Sequence, residues 1–237
     1  MLKEENMKRF FGEKQNDQII IKDDEYFHLK KVLRMGEGDE IIACINDEKD
    51  YYCKIAKCEK TFCLCQIQEE KINEAKPNKN IVLFQMMPKK EYFDNIIPKA
   101  IELGVSEIQF FSSKWTMVKS FKEERVETIV KTACKQCERS KLINVDKVVT
   151  FEKMIERLKD FDTVIFAYEN ETQKFNPSVL QNAKDIAIVI GNEAGFTDDE
   201  ANEIKKYAHS ISLGKRILRC DTAVVATLAL VSILTNN

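Results

Sequence analysis

The sequence is short of the residues on which several kinds of chemistry depend. It holds two histidines in 237 residues, His28 and His209, so no metal ion or acid–base centre built on imidazoles is expected. No stretch fits GxGxxG and none fits GxxxxGK[ST], which removes the dinucleotide fingerprint and the Walker A phosphate loop. Long apolar runs are also missing. The longest, Ala223 to Leu234, is broken by Thr227 and Ser232 and is too short to cross a bilayer, so no membrane contact is expected. Met1–Asn6 offers no apolar h-region, so no secretory signal is expected. The eight cysteines should then be reduced thiols in a cytoplasmic protein. Cys134-Lys-Gln-Cys137 is a lone CxxC in a helical pattern, without a second pair at zinc-finger spacing, and Cys63 and Cys65 alternate along a strand. These sites read as small buried hydrophobes.

Charge of one sign is lacking too. The net charge of −2 and pI near 5.9 exclude a general polyanion coat, although a local basic face is what nucleic acid requires. Residues 86–141 carry eleven Lys and Arg against eight Asp and Glu, or +3, whereas residues 142–237 carry eleven against fourteen, or −3.

What is present is a globular composition, 44% hydrophobic and 32% charged, in two rhythms. Up to about residue 70 the chain reads as β-rich. Gln18–Ile21 is a short apolar run, and Glu40–Ile45, Tyr51–Lys57 and Thr61–Gln68 are strand candidates, the last two alternating in period two. Asp23–Val32 is spaced as a helix. Glu69–Asn80 is polar, contains Pro77 and reads as a linker. Strands and helices then alternate, which implies a mostly parallel sheet covered by helices. The strand candidates are Ile81–Gln85, Glu107–Phe111, Thr163–Tyr168, Ile186–Ile190 and Ser210–Leu213. The helix candidates are Lys90–Leu103, Glu123–Ser140, Phe151–Lys159, Thr197–Tyr207 and Thr222–Leu234.

Two segments stand out. The continuous apolar run Ile186–Ile190 suits a central parallel strand and ends in Gly191-Asn-Glu-Ala-Gly-Phe196, with a Thr197/Glu200 capping box behind it. Such a loop lies where open α/β sheets bind ligands; an ordinary turn with glycines is the plainer reading. The second is Leu213-Gly-Lys-Arg-Ile-Leu-Arg-Cys-Asp-Thr222, placing Lys215, Arg216 and Arg219 before a helix apolar on nearly all sides. The plainer reading there is solvated cations and Asp221 as the helix cap.

Six segments in order resemble the RsmE family of the SPOUT (trefoil-knot) superfamily. They are Met7-Lys-Arg-Phe-Phe11; His28-Leu-Lys-Lys-Val-Leu-Arg-Met35 with Gly38-Asp39; Lys99-Ala-Ile-Glu-Leu-Gly-Val105; Ala133-Cys-Lys-Gln-Cys-Glu-Arg139; Ile190–Thr197; and Leu213–Ala223. The resemblance implies a small PUA-like N-terminal β-barrel domain over residues 1–73 that helps bind RNA. It also implies a SPOUT-like α/β methyltransferase domain over residues 74–237, with a mostly parallel sheet and a deep trefoil knot. Periodicity by itself predicts no knot. The implied activity is methylation of N3 of a uridine in 16S ribosomal RNA by a cytoplasmic homodimer, with S-adenosylmethionine as donor and the small ribosomal subunit as partner. A related knotted methyltransferase acting on tRNA or a ribose 2′-hydroxyl, and a non-catalytic RNA-binding or ribosome-assembly protein, are the alternatives.

The resemblance also assigns residues. Ile190, Gly191, Asn192, Glu193, Gly195, Leu213, Gly214, Ile217 and Leu218 would hold the donor, with Ile217 packing its ring. Arg139 or Arg219 would stabilise uridinate charge, and Glu193 or Asp221 would take the N3 proton. Arg9, His28, Arg34, Lys89 and Lys90 would contact RNA phosphates. The chain departs from the family pattern at several places. Asn192 replaces a proline and Ala194 a glycine, so position 194 must not need a positive φ. Asp221 stands for a glutamate, Lys135 for an acidic residue, Asn144 for a proline and Lys114 for an arginine.

Overall fold

The computed structural model describes residues 7–235; Met1–Asn6, read above for a secretory signal, lies outside them. The chain divides into two compact units, one running up to Lys76 and joined by Cys134–Leu142, the other made of Pro77–Ala133 and the chain from Ile143 onward.

The first unit is a curled six-stranded sheet. Its strands are β1 (Lys8–Phe11), β2 (Glu13–Gln15), β3 (Gln18–Lys22), β4 (Glu40–Cys44), β5 (Lys49–Cys58) and β6 (Phe62–Ile72), in the order β1-β4-β5-β6-β3-β2. Only β1 and β4 pair in parallel. Alternate residues point inward, as a half-buried strand requires, and Phe10, Ile19, Ile21, Leu29, Ile41, Tyr51 and Ile55 form the core. Cys53, Cys63 and Cys65 sit in that core, and burial pushes the Cys53 and Cys65 thiols up to about 12. Asp23–Val32 is helical as expected, but α1 (Asp23–Phe27) passes into a π-helical turn at His28–Val32.

The linker expectation needs correction. Glu69–Ile72 continues β6, where Glu70 stands opposite Tyr51 and pairs with Lys49 at 2.9 Å, and Lys71 lies over the Tyr52 ring. Charged residues on the solvent side of a paired strand lack the hydrophobic alternation by which strands are recognised. The segment 134–142 joins this unit through side chains. Arg9 donates to Asp50 and to Ser140 (2.8 Å), Lys135 pairs with Glu25 (2.8 Å), and Asn73 donates to the carbonyl of Glu138 (2.8 Å).

The second unit runs β7 (Asn80–Met86), α2 (Lys90–Glu102), β8 (Glu107–Ser112), α3 (Glu123–Gln136), β9 (Asn144–Thr150), α4 (Phe151–Leu158), β10 (Thr163–Ala167), β11 (Asp185–Ile190), α5 (Asp198–Lys205), β12 (His209–Ile211) and α6 (Cys220–Thr235). Its six strands are all parallel, in the order β12-β10-β11-β7-β8-β9. Two expectations change here. The edge strand β9 was not anticipated, because Asn144-Val-Asp-Lys-Val-Val-Thr150 is largely exposed and carries charge. Helix α3 ends at Gln136 rather than Ser140, since Glu138 adopts a left-handed φ of 64° that terminates it.

Val82, Phe84, Met86, Val164, Phe166, Ala187 and Val189 face α4 and α5 in one core layer. Period-two alternation turns Ile81, Leu83, Gln85 and Phe110 the other way, where Phe93 of α2 meets Phe110 with ring centroids 4.8 Å apart. The chain steps outward from β7 to β8 and β9, then crosses to β10 on the opposite side of β7 and places β11 between β10 and β7. The neighbours β7 and β11 therefore send their following loops in opposite directions, and their carboxyl ends form the crevice in which such sheets bind ligands.

Among the described residues no helix is long and apolar enough to cross a membrane.

Candidate active site

Gln85 and Ile190 are register partners on β7 and β11, so the crevice opens directly beyond them. Gln85 is fully buried. Its Nε2 donates to the carbonyls of Met86 (2.8 Å) and Gly191 (3.0 Å), while its Oε1 has no hydrogen-bond partner among the described residues. An unpaired buried acceptor is costly unless a ligand or water supplies a donor.

The loop after β11 is held by its own side chains. Asn192 Nδ2 donates to the carbonyl of Met87 (3.3 Å), and Asn192 Oδ1 accepts from the amide of Ala194 (2.9 Å). Asparagine thus closes by hydrogen bonds a turn that proline would fix through its ring. Ala194 is absent from the described residues with positive φ; Gly195 takes that conformation, at 69°. A Cβ on Gly195 would collide with Glu169 Oε1, and one on Gly191 would lie 2.9 Å from the Phe196 ring. Packing against the Phe196 ring therefore requires Gly191, and the left-handed backbone requires Gly195. Phe196 anchors the far side by stacking on Phe111 (6.3 Å) and meeting Phe166 edge-on (5.1 Å). The capping box opens α5 as expected: Thr197 Oγ1 accepts from the Glu200 amide (3.3 Å), and Glu200 accepts from the Thr197 amide (2.9 Å).

Glu193 links this loop to the second one. Its Oε1 accepts from the Lys89 amide at 3.1 Å, capping the start of α2, and from the Cys220 thiol at 3.6 Å. Cys220 is the first residue of α6, so the segment ending at Arg219 is fixed beside Glu193. Burial, with the Glu193 carboxylate adding, pushes the Cys220 thiol up to about 12; it stays protonated and acts as donor. The Tyr92 phenol is raised by burial, opposed by Arg219 and reinforced by Glu91, Cys220 and Glu193. Arg219, Tyr92, Glu193 and Cys220 therefore share one electrostatic neighbourhood.

Asp221 is not the helix cap. Helix α6 starts at Cys220, one residue earlier, which places Asp221 in its first turn, where an acid suits the helix dipole. Asp221 accepts from the Thr222 amide (2.9 Å) and lies 3.5 Å from Lys99 Nζ.

The loop after β12 is more open. Leu213 and Leu218 are half-buried, whereas Gly214, Lys215, Arg216 and Arg219 are exposed and Ile217 is 89% exposed. Its start is fixed by a third loop, the one after β10. Gln173 accepts from the Ser212 amide (2.8 Å), and the Tyr168 amide donates to Ile211 (3.1 Å). In that third loop the amide of Thr172, Lys205 and the amide of Gln173 hold the Glu171 carboxyl down to about 2. The sequence reading missed this wall, because Tyr168–Gln173 has no motif. Gln85 left a clearer signal, as the one polar residue in the run Ile81–Met87. The whole arrangement, rich in main-chain groups and rimmed by Ile217 and cations, suits an extended ligand with one apolar ring.

The family model for the RNA methyltransferase domain matches residues 74–232, and that for the RNA methyltransferase PUA domain matches residues 21–68. Ribosomal RNA small subunit methyltransferase E of Bacillus subtilis is 29% identical over 246 residues, covering 95% of this chain and 96% of that protein. The same-named protein of Buchnera aphidicola subsp. Acyrthosiphon pisum is 31% identical over 223 residues, covering 91% and 88%. The chain belongs to the ribosomal RNA small subunit methyltransferase E family. A crystal structure of the Neisseria gonorrhoeae family member bound to S-adenosyl methionine is similar with a TM-score of 0.88 at 26% identity, over 97% of this chain and 98% of that one.

The remaining candidates fall in two groups. Lys89 and Lys90 are exposed at the start of α2, in the same unit as both loops. Arg139, Arg9, His28 and Arg34 belong to the first unit. Arg139 is 6% exposed, and burial lowers its guanidinium below the usual arginine value. Arg9 is committed to Asp50 in a buried cluster with Ser140 and Asn73, an internal role that takes its charge away from solvent. His28 is half-buried against Phe10 with ring centroids 6.0 Å apart, and Arg34 is exposed.

Proposed function

We propose that this chain transfers the methyl group of S-adenosylmethionine to N3 of a specific uridine in 16S ribosomal RNA. The observation that carries this reading is the joining of the two loops through Glu193 and Cys220, beyond the β7/β11 crevice of a chain in this family. The residues fit the donor. Buried Gln85 Oε1 awaits a hydrogen-bond donor, the main chain of Ile190–Gly191 and Leu213–Leu218 offers amides and carbonyls, and exposed Ile217 gives an apolar surface for a ring. When bound, S-adenosylmethionine supplies a methyl group on a sulfonium that carries its own leaving group, so binding, orientation and electrostatics fall to the protein.

Uracil N3 must lose its proton before it can attack. Arg219 is the arginine assigned to the negative charge that then spreads over O2 and O4, because it shares its surroundings with Tyr92 and Glu193. Glu193 is assigned the N3 proton. Asp221, engaged with Lys99 and the Thr222 amide, positions the first turn of α6. Residues 1–73 serve as the RNA-binding domain and residues 74–237 as the catalytic, knotted domain. The exposed Ile233 and Leu234 of α6 support a homodimer, and the ribosomal substrate supports a cytoplasmic location.

The test is transfer from radiolabelled S-adenosylmethionine to small subunits isolated from a strain lacking the enzyme, followed by nucleoside mass spectrometry. N3-methyluridine is the expected product. A 2′-O-methyl product or labelled tRNA would overturn the substrate assignment, and absence of donor binding in calorimetry would overturn the enzymatic reading.

A further inference from the structure

The loop between β8 and α3, Ser113–Lys122, presents side chains that neither the fold nor the donor site uses. Trp115 is 49% exposed and Met117 86% exposed. Lys114, Lys119 and Lys122 are exposed, and none forms an ion pair among the described residues. The ten residues contain no acid. Exposed tryptophan is unusual in a folded surface without a partner. Here it alternates with unpaired cations, and Lys114 Nζ lies 5.3 Å from the Trp115 ring centroid.

The loop is fixed at both ends. The Ser113 amide donates to Thr116 Oγ1 (2.9 Å) and the Thr116 amide to the Ser113 carbonyl (3.1 Å), and Thr116 is buried beneath them. Trp115 is thereby held at the tip of a tight turn. At the other end Phe121 packs on Phe93 (5.3 Å) and Phe110 (5.8 Å). The loop is also tied to the donor side of the sheet. The Lys114 amide donates to Glu200 Oε1 at 3.1 Å, the same side chain that closes the capping box after the glycine loop, and Ser113 Oγ contacts the sulfur of Met86 at 3.2 Å.

We propose that Ser113–Lys122 grips single-stranded RNA next to the target nucleotide, with Trp115 stacking on an unpaired base and Lys114, Lys119 and Lys122 meeting its phosphates. This rests on the methyltransferase reading above. Sequence-tolerant binding of single-stranded nucleic acid combines an aromatic platform with cations along the backbone. The loop supplies both, on the carboxyl edge of the sheet where the donor loops lie. The lysine charge matches a polyanion rather than a second copy of a chain whose net charge is −2.

Trp115 is the chain's one tryptophan, so its fluorescence reports this loop alone. Titrating the full-length protein with a single-stranded oligouridylate should quench the emission. Trp115→Ala should weaken binding of the labelled oligonucleotide by about five- to 150-fold, as loss of one stacked base implies, with S-adenosylmethionine affinity unchanged. Trp115→Tyr should restore most of the binding. Lys119→Ala with Lys122→Ala should flatten the salt dependence. Unquenched emission at saturating RNA would overturn the proposal, and so would a Trp115→Ala variant that alters only the oligomeric mass. Methyl transfer by the wild type, measured in parallel, tells the two failures apart: activity without quenching removes only this loop's role, whereas inactivity removes the reading beneath it.

Discussion

Replacing Gly195 by alanine tests whether the glycine loop is held by backbone conformation or by a side-chain contact. The residue sits at φ 69°, a conformation that costs a residue with a Cβ about 1–2 kcal/mol. The added methyl would also meet Glu169 Oε1, but that is the end of a flexible side chain and can swing away. The backbone cost therefore remains. For a chain of this size about 1 kcal/mol lowers Tm by about 2–4 °C, so Gly195→Ala should melt about 2–8 °C lower. If the donor needs the native loop, its affinity should fall about five- to thirtyfold. Scanning calorimetry and isothermal titration with S-adenosylmethionine measure both quantities. Adding Glu169→Ala removes the collision and leaves φ untouched, so the double variant should recover little. Full recovery would refute the backbone argument, and an unchanged single variant would refute the role of the conformation altogether.

Asn192→Ala removes the bonds to Met87 and Ala194 and should cost about 1–3 kcal/mol, read as a lower urea midpoint and weaker donor binding. Arg219→Ala should abolish methyl transfer while leaving Tm within about 2 °C, because the side chain is exposed; transfer at the wild-type rate would sink its assignment. Glu193→Gln keeps an acceptor for the Lys89 amide and removes the base, so kcat should fall at least a hundredfold with little change in donor affinity. A loss of affinity with kcat intact would instead make Glu193 a purely structural cap. The thiols of Cys53, Cys65 and Cys220 are held near 12, against an ordinary 9.0. Their folded-state values are raised, so the stability they contribute is complete below pH 9. It falls as pH rises toward 12, by about 1.4 kcal/mol per pH unit for each thiol. Urea melts from pH 8 to 10.5 should show this decline, and a flat profile would contradict it.

Much of this architecture was legible because the sequence writes it in periodicity. Ile186–Ile190 read as a central parallel strand and is one, and Thr197 with Glu200 marked the start of α5. The sequence was least legible where charge hid a strand. Glu69–Ile72 and Asn144–Thr150 are paired but carry exposed charged side chains, so hydrophobic alternation fades. The loops Gly191–Phe196 and Gly214–Arg219 stood out through glycines and cations close together in sequence. Their bridge did not, because Glu193, Lys89 and Cys220 meet only through the sheet order. Nor was the ion pair of Arg9 legible, because Asp50 lies distant in sequence.

If Ile190–Thr197 and Leu213–Arg219 are two walls of one methyl-donor site, a bound donor must shield both. Amide hydrogen exchange with and without saturating S-adenosylmethionine tests it most directly. Both segments should become protected together, with the β10 loop between them and at the same donor concentration. Protection of one loop alone, or of neither in a protein that still transfers methyl groups, would contradict it.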